Sequence, residues 1–144
     1  MRKVGRSILG ILVGAVVAGI VIAGVEALSS LVYPLSAGVD PHDREALRQV
    51  IKALPAGAFL FVLAAWALGA LLGAWVAARL AGRSPILHGL GIGLIFLIAG
   101  IVNMLMLPHP VWFWVAGIAV LPISSYFGGR WAAISQYEKP LVTR

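Results

Sequence analysis

Four stretches of this chain, roughly Ile8–Tyr33, Ala56–Leu80, Ile86–Leu107 and Val111–Ile134, are each apolar over about the 20 residues a helix needs to cross bilayer hydrocarbon. Nothing else in the sequence constrains the fold as strongly. Inside hydrocarbon every backbone N–H and C=O must be paired within its own segment, so single runs of this length fold as helices. Of the 144 residues 61% are hydrophobic and 11% charged, where a soluble domain carries about 25% charged. The expected fold is all-α, an integral membrane four-helix bundle that takes residues 1–144 as a single membrane domain.

Helix breakers punctuate the runs: Pro34 after the first, Pro55 before the second, Gly82 and Pro85 at the next turn, Pro108 and Pro110 at the last. Basic residues set the expected orientation. Arg2, Lys3, Arg6, Arg79, Arg83, Arg130, Lys139 and Arg144 lie on one side, whereas Arg44, Arg48 and Lys52 on the other are offset by Asp40, Asp43 and Glu45. Both termini are expected to be cytoplasmic in a bacterial inner membrane. The first run is longer than the 7–15 residues usual in a signal-peptide core, so it is expected to stay uncut. The net charge of +6 tracks the ends of the runs, which argues for topology rather than for nucleic acid as a partner.

The first outer loop carries its own helix signal. Asp40-Pro41 fits an N-cap followed by proline at the first helical position, and Ala46, Leu47, Val50, Ile51 and Leu54 then share one face. A short amphipathic helix over about 41–53 is expected on the outer surface, either filling space or acting as a lid or docking element. A weak internal similarity pairs Ala23-Gly24…Pro34 with Ala99-Gly100…Pro110, and Gly73…Ala77-Ala78 with Gly128…Ala132-Ala133. It suggests two helical hairpins related by a pseudo-two-fold along the membrane normal.

Small residues form the expected packing faces, since close backbone approach holds membrane helices together. They include Ala15, Gly19 and Ala23 with a Gly10-xxx-Gly14 pair in the first span, and Ala65, Gly69, Gly73 and Ala77 in the second. Gly89, Gly93 and Gly100 follow in the third, and Gly117, Ser124, Gly128 and Ala132 in the fourth, with a kink expected at Pro122. Trp112, Trp114 and Tyr33 at one boundary and Trp131 and Tyr137 at the other make an aromatic belt, while Trp66 falls near mid-span.

One acidic residue lies inside a span. Glu26 shares the stripe of Gly19 and Ala23, and a carboxyl in hydrocarbon costs about 2.5–3.5 kcal/mol on insertion scales. Asn103 shares the small-residue stripe of the third span at similar depth, with Ser29, Ser30 and His109 nearer the outer face. Glu26, Asn103, Ser29, Ser30, His109 and Trp66 are therefore the candidate polar site. Two readings stay open: a clamp in which a neutral carboxyl donates to the Asn103 amide and fixes helix register, or a group that exchanges a proton or binds a cation during transport. The chain has no cysteine, so disulfides and thiolate metal sites are excluded. His88 and His109 fall at opposite ends of the third span and cannot share a metal or haem. No cofactor is implied, although a single histidine could still ligate a pigment or haem. No Ser–His–Asp set, metal cluster or phosphate loop assembles on one face, which argues against an enzyme.

Val25-Glu26-Ala27-Leu28, Tyr33-Pro34, Asp40-Pro41, Ala65-Trp66-Ala67-Leu68-Gly69-Ala70 and Pro108-His109-Pro110 together resemble small bacterial inner-membrane proteins of four spans with no assigned function. A slighter likeness to the small multidrug-resistance transporters lies in four short spans with a glutamate in the first. Here that glutamate sits near the outer end, the first loop is longer and the termini differ, so the activity is not carried over. The expected function is that of a structural or accessory subunit, in a homo-oligomer or larger membrane complex. The alternative is a small homo-oligomeric proton- or cation-coupled transporter or channel using Glu26.

Overall fold

The computed structural model of the chain describes residues 2–34 and 43–137, and the regular structure among them is entirely helical. The helices are α1 (Arg2–Val32), α2 (Arg44–Ala53), α3 (Ala56–Ala81), α4 (Pro85–Met106) and α5 (Val111–Tyr137). All but α2 are long and apolar enough to cross a membrane, which makes this a multi-pass membrane protein. α1 begins at Arg2 rather than near Ile8, and α5 runs on to Tyr137 rather than stopping at Ile134. Apolar content marks where hydrocarbon begins, while the hydrogen-bond ladder continues through polar residues beyond it. At about 1.5 Å per residue α1 is longer than the roughly 30 Å hydrocarbon thickness.

Local chemistry ends each helix. Gly82 closes α3 in the left-handed region at φ 66°, its N–H donating to Ala78 O at 3.2 Å. Ser84 is also left-handed, at φ 41°, and Pro85 then opens α4 where no N–H is required. α2 starts later than Asp40-Pro41 suggests. Asp43 is its N-cap, accepting from Glu45 N at 2.9 Å and Ala46 N at 3.1 Å, while residues 40–42 lie outside the described residues. Pro122 sits within α5 without ending it, and the buried Ser125 hydroxyl donates to Pro122 O at 3.0 Å.

The bundle has two unlike halves. Away from α2, helices meet backbone to backbone. Gly10 and Gly14 of α1 lie against Ala77 O and Gly73 O of α3; a methyl at Gly14 would come 2.5 Å from that oxygen. Gly89 faces Ser125 O, and Gly129 faces Pro85 O, which closes α4 on α5. Gly128 lies against Leu71 O and Ala74, which closes α5 on α3, and Gly93 packs on the Ser125 side chain. Toward α2 the core changes to bulk: Phe59, Trp66, Met104, Phe113 and Leu121 are buried together. Gly69 takes the Ile22 side chain, while Gly100 and Gly117 both lie against the Trp66 ring.

One packing face differs from the reading above. Gly19 meets no neighbour and Ala23 is exposed; the α1 face on α3 is Gly10, Gly14, Ala18 and Ile22. Successive residues are about 100° apart round a helix, so the row containing Gly19, Ala23, Glu26 and Ser30 lies one position round from the row that packs. The hairpin symmetry is also incomplete. Exchange of the hairpins would require α1 to touch α5 as α4 touches α3, yet α1 contacts only α3 extensively and α4 slightly.

Candidate functional site

α1 lies along α3 while α4 lies along α5, and the slight α1–α4 contact leaves a gap on the α2 side of mid-bundle. Two cavities occupy it. The inner one, about 200 Å³, has walls from Ile22, Trp66, Phe96, Ala99, Gly100 and Leu121. The outer one, about 360 Å³, is lined by Ser29, Ser30, Tyr33 and His109, with Ile51 of α2 and its C-cap residue Leu54. Glu26 and Asn103 line both, so they stand where the cavities join. Both are exposed at the bundle surface, as are Ala23 and Ala99 beside them, so the gap opens sideways between α1 and α4.

The six residues of the candidate polar site thus line two neighbouring cavities that share Glu26 and Asn103. Glu26, Ser29, Ser30, Asn103 and His109 line the outer cavity, and Trp66 joins Glu26 and Asn103 at the inner one. They do not form a closed network. Among the described residues no hydrogen bond joins Glu26 to Asn103, and Ser30 spends its hydroxyl on Ala27 O at 2.7 Å. A carboxyl and an amide side by side with room between them present acceptors and donors to a third group. Among the described residues no Lys or Arg lines either cavity.

His109 is held by an aromatic wall. Its ring stacks on Phe113 at 4.6 Å between centroids and meets Phe59 edge-on at 5.9 Å. Nδ1 donates to Leu107 O at 2.9 Å, which leaves Nε2 as the acceptor of the neutral ring. Burial pushes the His109 pKa below its ordinary value; hydrogen bonds to the Leu107 and Met104 backbone oppose that only in part. Trp66 is buried, with Phe113 at 5.5 Å in a T-shaped pair, and forms the floor of the inner cavity. His88 sits at the far end of α4, bonded to Ser84 O at 3.0 Å.

The residues that the sequence did not point to are the apolar walls. Phe59 and Val62 of α3 and Leu107 after α4 line the outer cavity without any polar signature. Ile51 of α2 and its C-cap residue Leu54 had a usable signal, since both belong to the apolar pattern that packs against the cluster holding Phe59. The opposite end of the bundle carries a separate polar lock: Arg79 donates to Ser135 Oγ at 2.7 Å and lies 5.6 Å over the Trp75 ring, while Gln136 donates to Ala78 O at 3.4 Å. It ties α3 to α5 and borders no part of the Glu26 gap.

No family model, curated protein or solved structure matches this chain.

Proposed function

We propose that this chain is a multi-pass inner-membrane protein that acts as an accessory, complex-forming subunit. The observation that supports it is the side-opening α1–α4 gap with Glu26 and Asn103 at its centre. In a bilayer, an ionisable side chain faces protein or water rather than acyl chains, and this chain by itself leaves that side of Glu26 uncovered. A membrane segment from outside the chain, or a second copy, completes the bundle there. The bias of Lys and Arg toward the ends of α1, α3 and α5 opposite α2 supports cytoplasmic termini, with α2 on the outer surface over the cavity mouth. The test is the size of the assembly released from native membranes in mild detergent. A wild-type chain that migrates alone at every detergent concentration defeats the proposal.

A second reading is favoured by the polar route from Glu26 to Ser29, Ser30 and His109. In it, Glu26 takes up and releases a proton or cation in a homo-oligomeric transporter. The glycine contacts in the other half bring helix backbones together within one chain, so in this reading the route continues between copies. Proton or cation flux into vesicles holding purified protein, present in wild type and lost in Glu26→Gln, would establish this reading; absence of flux in wild type removes it.

A further inference from the structure

We propose that the α1–α4 gap is completed by a transmembrane helix of a different protein that presents one lysine or arginine at the depth of Glu26. This rests on the reading of the chain as a complex-forming subunit and names the chemistry of its partner. The charge balance of the gap selects the occupant. Glu26 is the only Asp or Glu within the four long helices, and among the described residues no Lys or Arg lines the two cavities that share it. Among the described residues the other titratable groups at the outer cavity are Tyr33 and His109, and burial favours the neutral ring of His109. A cation entering sideways would meet an uncompensated carboxylate and the Asn103 side-chain oxygen, between the side chains of Trp66 and Phe96.

The gap also fits a side chain arriving on a helix. Glu26 stands six residues before the end of α1 at Val32, which is about 9 Å below that end. A long, flexible basic side chain reaches in from a helix laid along the groove, and Ala23 and Ala99 at the rim leave room for its backbone. A second parallel copy of this chain does not carry the required group. Its basic residues lie on α2 or near the ends of α1, α3 and α5 away from α2, none at Glu26 depth within a span.

The experiment uses designed Leu/Ala transmembrane peptides of about 23 residues carrying Lys, Asn or Leu at that depth. The chain has no cysteine, so Gly5→Cys, at a position without neighbours, takes a single fluorescent donor. Energy transfer to labelled peptides is read in phosphatidylcholine vesicles. The Lys peptide should associate with the wild-type chain at least about tenfold more tightly than the Leu or Asn peptide. That preference should vanish in Glu26→Gln, persist in Glu26→Asp, and pass to a Glu-bearing peptide in Glu26→Lys. Equal association of Lys and Leu peptides overturns the proposal, as does a Lys preference that survives Glu26→Gln. Matching affinities for Lys and Asn peptides overturn the charge argument. Self-association of the chain that excludes every peptide makes the occupant a second copy, and overturns it too. Native-membrane assemblies separate this from the subunit reading. If wild type and Glu26→Gln run in the same larger complex, the subunit reading stands and the lysine partner falls. If wild type runs alone while the peptide preference holds, the subunit reading falls.

Discussion

Gly14 and Gly19 are both glycines of α1, five residues apart, and the structure gives them opposite fates. A methyl at Gly14 would lie 2.5 Å from Gly73 O, 2.7 Å from Ala77 Cβ and 3.1 Å from Ala77 N. Two of those atoms are backbone, so no rotamer change relieves them and α1 must move off α3 by roughly 1 Å to restore ordinary contact. Overpacking of this kind costs about 1–3 kcal/mol, and the better helix propensity of alanine returns only about 0.5–1 kcal/mol. Gly14→Ala should therefore lose about 1–2 kcal/mol, or roughly 5- to 30-fold in the ratio of folded to unfolded chain. Gly19→Ala meets nothing within 4 Å and should be neutral or slightly stabilising. The assay is unfolding of purified protein in mixed detergent micelles, followed by tryptophan fluorescence. If Gly19→Ala costs as much as Gly14→Ala, α1 is turned by about one residue, or 100°, from the orientation described. Glu26 would then no longer face α4, and the site would dissolve with it.

Gly100→Ala places a methyl 3.0 Å from the Trp66 ring, so it should cost about 1 kcal/mol alone and far less in a Trp66→Leu background. Additive losses across that double-mutant cycle would contradict the contact. Ser84→Gly should stabilise by about 1 kcal/mol, because Ser84 holds φ 41°, and Gly82→Ala should lose a similar amount at φ 66°; unfolding midpoints of the two variants decide it. His109 has a pKa below its ordinary 6.5, so the unfolded chain binds the extra proton first. Its contribution to stability is complete above that value and is lost as pH falls through the window between 6.5 and the lowered folded value. Unfolding measured between about pH 5 and 8 should show this acid loss in wild type and a flatter profile in His109→Phe.

The four spanning helices were legible because hydrocarbon leaves a chain little choice. Run length, the prolines at 34, 55, 85 and 108, and Gly82 all mark real boundaries. α2 was legible from its apolar face, although its cap falls on Asp43 and not on Asp40. Helix rotation was harder to read. The rows Gly10–Gly14–Ala18 and Ala15–Gly19–Ala23 are both small, and composition cannot say which of two adjacent small rows meets α3. The contact on Gly73 and Ala77 decides it. Glu26 and Asn103 stood out because polar atoms are rare in these spans. The space between them was not legible, because it depends on the sizes of Trp66, Phe96 and Leu121 on α3, α4 and α5. The same limit hid the absence of a direct Glu26–Asn103 hydrogen bond: matching depth within two helices says nothing of the width of the gap between them.

That width comes from a gradient of side-chain size along the bundle, and it can be tested at single atoms. Glycine and alanine let α1 and α3, and α4 and α5, approach closely at one end; Phe59, Trp66 and Phe113 hold the helices apart at the other. Polar side chains belong in the wider half, where water or a partner can reach them. With no native cysteine, one introduced thiol reports on that reach, since only a hydrated thiol ionises and reacts readily. Asn103→Cys, at the junction of the cavities, should react with a small membrane-impermeant thiol reagent added from the α2 side of sealed vesicles. Ile92→Cys, fully buried in the narrow half about three turns away, should react at least about tenfold more slowly from either side. Reaction of Asn103→Cys should also slow when the gap is filled, whatever fills it. If Asn103→Cys is as inert as Ile92→Cys in the isolated chain, the cavity mouth between Ser29, Ser30 and His109 carries no water. Glu26 would then face acyl chains uncompensated, an arrangement that costs too much to be the working state of the protein.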